Sequence, residues 1–230
     1  MAQRGKFDIY ALDRVEGLGD ENVLQDYIDT LVTHFSESPE GKALREQGVE
    51  IGFWTRMCIE LAFIYGDTTL PHMDVFDMEE LLLEIFPRKV TPMSKEDTKN
   101  ALPELVAFWK YLAREYQLPN ARSIIRYLEK LDPKKFVDAM YDPRRFGPAK
   151  SLAMAALEAG VDITDEDQMN AFIWAYNMQV LSEMEQAPPS PDPWEAAFSS
   201  LVSRRRADKK RKQKRKAEKL ARRKNRRRKR

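Results

Sequence analysis

The sequence predicts an all-α protein: a multi-helix bundle followed by a basic C-terminal tail that is disordered, or helical only conditionally. Three observations carry that expectation. Apolar residues recur at helical spacing along the first 200 residues, with almost no strand alternation. Gly and Pro stand between the periodic segments as breaks. From Arg204 onward apolar residues nearly vanish and Lys/Arg take over.

Residues 1–19 read as an irregular N-terminal segment, 20–186 as an acidic helical bundle, 187–193 as a proline-rich linker and 194–230 as the basic tail. Asp20 is the expected cap of a first helix whose Val23, Leu24, Tyr27, Ile28, Leu31, Val32 and Phe35 share one stripe. A short helix from Pro39 to Gln47 stops at Gly48. The next, about Glu50 to Tyr65, is apolar around much of its circumference (Phe53, Trp54, Met57, Cys58, Leu61, Ala62, Ile64), so it is the expected central element. Asp74 opens a helix that Pro87 is expected to end. Ser94 followed by Asp97 resembles a capping box and opens a long helix to about Tyr116, which Pro103 is expected to kink or divide.

Asn120 is the expected cap of a helix ending near Leu131, and Pro133 begins a short one reaching Met140. Pro148 fits the first turn of a helix from Ala149 to Ala159, closed by Gly160. Thr164, Glu166 and Asp167 start the last helix of the bundle, with Met169, Phe172, Ile173, Tyr176, Val180 and Leu181 on its face. Four prolines in the seven residues 187–193 make that linker stiff and extended. Trp194, Ala197, Phe198, Leu201 and Val202 then keep helical spacing for two turns.

The net charge of +2 averages two opposite objects. Residues 201–230 hold 19 Lys/Arg against two acids, which is +17; residues 1–200 hold 20 against 35, which is −15. Asymmetry of this kind points to nucleic acid as the partner of the basic end. The expected phosphate ligands are Arg204, Arg205, Arg206, Lys209, Lys210, Arg211, Lys212, Lys214, Arg215, Lys216, Lys219, Arg222, Arg223, Lys224, Arg226, Arg227, Arg228, Lys229 and Arg230.

Residues 204–230 contain no Gly, Pro or β-branched residue, so helix propensity is high while like charges oppose it. Folding on phosphate contact follows. With no aromatic among residues 204–230 to stack on bases, this run is expected to bind backbone rather than sequence. RNA is favoured over DNA, with a ribosome or another ribonucleoprotein as context. Other readings of such a run are a solvated charged face, a nuclear or nucleolar address, an anionic membrane contact and association of the tail with its own acidic body. No apolar anchor accompanies the charges, so no membrane partner is expected.

The catalytic search is negative. His34 and His72 stand outside any Glu-x-x-His pair, and a single cysteine, Cys58, makes neither a zinc ribbon nor an internal disulfide. No phosphate-binding glycine motif occurs. Neither enzyme activity, metal nor cofactor is expected. Two body segments stand out: Pro87-Arg88-Lys89 after a helix end, and Asp142 to Lys150, where Arg144, Arg145 and Lys150 surround a helix start as a candidate anion site. The competing role for those arginines is pairing with body carboxylates.

The run from Tyr141 through Asn177, with Phe86-Pro-Arg-Lys-Val90 upstream, resembles an uncharacterised bacterial all-helical family with a Lys/Arg-rich C-terminus. The resemblance covers roughly Met73 to Asn177 plus the tail, and implies a bacterial source but no activity. Lacking an apolar secretory core in Met1–Asp13 and any span-length apolar run, the chain is expected in the cytoplasm, with nucleoid or nucleolar association depending on source.

Overall fold

A computed structural model of the chain describes residues 7–15, 21–92 and 94–186. The cap expected at Asp20, the linker and the whole basic tail lie outside the described residues. The chain divides into two compact units, Met1–Asp165 and Glu166–Arg230. Among the described residues there is no strand, and no helix is long and apolar enough to cross a membrane.

The first unit is built from α1 (Glu21–Glu37), α2 (Pro39–Glu46), α3 (Phe53–Ile64), α4 (Val75–Glu80), α5 (Phe86–Lys89), α6 (Lys95–Glu115), α7 (Ala121–Lys130), α8 (Pro133–Met140) and α9 (Pro148–Glu158). The helix starts expected at Asp74 and Ser94 carry side-chain caps. Asp74 accepts from the Phe76 and Asp77 amides at 2.8 and 2.9 Å, and Asp77 returns the bond to the Asp74 amide. Ser38, before Pro39, accepts from Gly41 N at 3.1 Å, and Ser94 accepts from Asp97 N at 3.1 Å. Each such cap contributes about 1 kcal/mol.

The hub is α6, not α3 as expected. α6 packs against α2, α3, α7 and α8, and buries Leu102, Leu105, Phe108, Trp109, Tyr111 and Leu112 on more than one side. Pro103 does not divide it; the helix is continuous from Lys95 to Glu115. The core is aromatic: Phe35 meets Phe108 edge-on at 5.4 Å between centroids, and Trp54 lies 5.6 Å from Phe86 and 6.0 Å from Phe136. Pairs of this geometry add about 0.5–1.5 kcal/mol each beyond the area they bury. α3 starts three residues later than expected, because Gly52 holds φ +114°, a conformation closed to other residues at little cost.

Pro87 does not end its helix either. α4 runs through a π turn, Leu81–Ile85, into α5, which contains Pro87. Phe86 N–H reaches back five residues to Leu81 O, so the turn is widened where a proline ring would otherwise strike the Leu83 carbonyl. Leu83 O, four residues before Pro87 and without its amide, accepts instead from Arg145 Nη1 at 2.6 Å. Another expectation fails at Asn120, whose side chain does not cap α7. Its Nδ2 donates to Leu70 O at 2.9 Å and Met73 O at 2.7 Å, closing the loop before α4 onto α7.

The second unit contributes α10 (Glu166–Gln186) to the described residues. Its Trp174, Tyr176 and Met178 are exposed, and Phe172 stacks on Tyr176 at 6.2 Å.

Candidate nucleic-acid interface

The nineteen tail cations lie outside the described residues, so the geometry here concerns the body. The segment 142–150 joins α8 to α9 and lies against the end of α5. Gly147 N–H bonds Arg88 O at 3.0 Å, and a Cβ on Gly147 would stand 2.8 Å from that same oxygen. Only glycine permits this approach. The two basic motifs singled out in the sequence are therefore neighbours, fastened by the Gly147–Arg88 and Arg145–Leu83 bonds.

The three cations of the candidate anion site part company. Arg144 holds Asp142 through two bonds, Nε–Oδ1 at 2.9 Å and Nη2–Oδ2 at 3.0 Å. These bonds, foremost the side-chain contact with Arg144, hold the Asp142 carboxyl below its ordinary range. Arg145 caps Leu83 O and reaches Asp142 Oδ2 at 3.5 Å. Both arginines keep surface exposure. Lys150 does not: it is 2% exposed, its Nζ donates to Met140 O at 2.7 Å and lies 4.6 Å from the centre of the Phe146 ring. Its inclusion in an anion-binding group is corrected here, because an ammonium turned into the core does not meet a ligand at the α9 start.

Burial lowers the Lys150 ammonium to about 8 from 10.5. The folded protein thus gives up this proton before the unfolded chain does. Stability present above 10.5 is lost as pH falls through 8, and amounts to about 3 kcal/mol across the window. Urea denaturation at pH 7 and pH 10 should show this increment in the parent protein and lose it in Lys150→Met. An equal pH response in both would refute the assignment.

The residues considered for chemistry have structural partners. His72 Nε2 lies 2.8 Å from Asp13 Oδ2, and Thr69 Oγ1 donates to Asp13 Oδ1 at 2.5 Å. His34 meets Phe7 edge-on at 5.9 Å. Cys58 is fully buried, and burial first, then the nearby Glu104, push its thiol up to about 12, far from a thiolate nucleophile. No group of three or more His, Cys, Asp or Glu able to hold a metal occurs among the described residues.

The sequence reading missed Arg122, Arg126 and Lys130. They share the outer face of α7, are exposed, and have no ion pair among the described residues. Their spacing of four was the available signal. Comparison of the chain with protein families, with curated proteins and with solved structures returns no match.

Proposed function

We propose that the chain is a non-enzymatic nucleic-acid-binding accessory protein, with RNA favoured and a ribosome or another ribonucleoprotein as its setting. The C-terminal tail binds phosphate backbone with little base specificity. One observation carries this reading: nineteen cations fall in the last 30 residues of a chain whose other 200 residues are net −15. Such a segment releases condensed counterions from a polyanion, the main source of sequence-independent affinity. Gln213 and Asn225 are its only side-chain amides, and it has no aromatic, so it holds almost nothing that reads bases. The net charge of −15 on residues 1–200 makes the body an electrostatic competitor of nucleic acid for the same cations.

Co-purification from a low-salt lysate tests the reading. Full-length protein and residues 1–193 are compared, each with and without nuclease. Nucleic acid is expected with the full-length protein alone, and sequencing the recovered material identifies the target. Absence from both forms would sink the proposal. A second reading is favoured by α10, whose exposed Trp174, Tyr176 and Met178 are of the kind enriched at protein interfaces. On that reading the body is an adaptor for a basic protein and the tail sets location; nuclease-resistant capture of one defined protein by both forms would support it.

A further inference from the structure

The body is not uniformly acidic. Residues 1–109 hold ten Lys/Arg against 21 Asp/Glu, residues 110–150 ten against five, and residues 151–200 none against nine. Within the positive stretch, α7 sets Arg122, Arg126 and Lys130 four residues apart, which aligns them along one face over about 12 Å. Ala121, Ile124 and Leu128 anchor the opposite face in the core, so the row is held outward. The turn into α8 adds Lys134 and Lys135, both exposed.

Both carboxylates between Arg122 and Lys135 are engaged. Glu129 pairs with Lys110 of α6 at 2.8 Å, and Asp132 accepts from the Lys134 amide at 2.9 Å as the cap of α8. Local electrostatics favours only part of the arrangement, with Lys130 in the last turn of α7. Like charges four apart on a helix repel. Arg122 lies in the first turn of α7 and Lys134 and Lys135 in the first turn of α8, where the helix dipole disfavours cations, and neither turn contains an acid. Positions that break several local rules together, with no compensating contact, are where function is expected.

We propose that Arg122, Arg126, Lys130, Lys134 and Lys135 form a second phosphate-binding surface, which takes the backbone of the same nucleic acid that the tail binds. The inference rests on the nucleic-acid reading above and gives the helical body a part in it. Over 12 Å one strand carries about three or four phosphates at its rise of 3.4 Å per nucleotide, a length that the row follows. Guanidinium groups meet phosphate oxygens through paired donors. None of the exposed large apolar side chains lies on α7, α8 or α9, so this face lacks the apolar centre of a protein–protein interface. A second surface on the same chain also makes the second contact intramolecular, so that weak body contacts add to those of the tail.

The test uses the full chain and the variant Arg122→Gln/Arg126→Gln/Lys130→Gln, binding a uridine oligomer across a salt series, with circular dichroism to confirm equal helicity. Loss of three phosphate contacts to a single strand makes the slope of log affinity against log salt shallower by about two. Equal slopes and affinities for the two proteins overturn the second surface and leave the tail reading intact. No binding by the parent protein overturns both. An unchanged slope for RNA with weakened binding of polyglutamate assigns the row to an acidic protein partner, and also overturns the proposal.

Discussion

Affinity of the full chain for single-stranded RNA is expected to fall about 10²- to 10⁴-fold between 50 and 200 mM salt, as about 6–10 neutralised phosphates on a single strand require. The tail alone supplies nineteen candidate cations, so this number is reached with fewer than half to about half of them engaged. Side chains able to offset the loss are scarce. A protein that stacks bases on aromatic rings retains part of its affinity at high salt and distinguishes sequences, because stacking is not displaced by counterions. Every Trp, Tyr and Phe of this chain precedes Leu201. Affinity should therefore be steep in salt and nearly flat in base composition, as fluorescence anisotropy with uridine-rich and mixed oligomers will show. A shallow salt response with a strong preference for one composition would overturn the backbone-binding reading, and would direct attention to the aromatic residues of α10 or to Trp194 and Phe198.

The sequence disclosed what depends on neighbours along the chain. The all-α class, the caps at Asp74 and Ser94, the first-turn prolines at 39, 133 and 148 and the stop near Gly160 all follow from residues within about one turn of each other. It did not disclose what depends on a partner far along the chain. Pro87 reads as a helix end because the acceptor it leaves behind, Leu83 O, is satisfied by Arg145, 62 positions later. Asn120 reads as a cap, but its amide finds the carbonyls of Leu70 and Met73, about 50 positions earlier. Lys150 reads as a surface cation because nothing near it announces that Met140 O lies within reach in the core. The basic row on α7 was legible in principle. It was hidden by averaging, since a body of net −15 gives no hint that one helix faces outward with three cations.

Glu104→Ala is expected to remove about 2–5 kcal/mol of stability, a large share of what a domain of this kind has. Glu104 belongs to α6 and is fully buried, beside Pro103. Its Oε1 accepts from Gly52 N at 2.9 Å and from Thr55 N at 2.7 Å, so a side chain of one helix caps the start of another, α3. Alanine leaves two buried amides without an acceptor and a space where the carboxyl stood. Glu104→Gln keeps the accepting oxygen and isolates the effect of charge. Burial, outweighing the Thr55 and Gly52 bonds, raises the Glu104 carboxyl above its ordinary 4.5. Its Oε2 is buried without a hydrogen-bond partner, so a charge there is poorly solvated. A raised folded-state value means that the unfolded chain releases the proton first. The stability that this group confers is complete below pH 4.5 and declines as pH rises toward the folded-state value. Urea denaturation at pH 4.5 and pH 7 should therefore show the parent protein losing stability across that interval by more than Glu104→Gln does, while Glu104→Ala is weak at both. If the Ala and Gln variants proved equally stable, the cap would be energetically idle and α3 would owe its start to Gly52 alone.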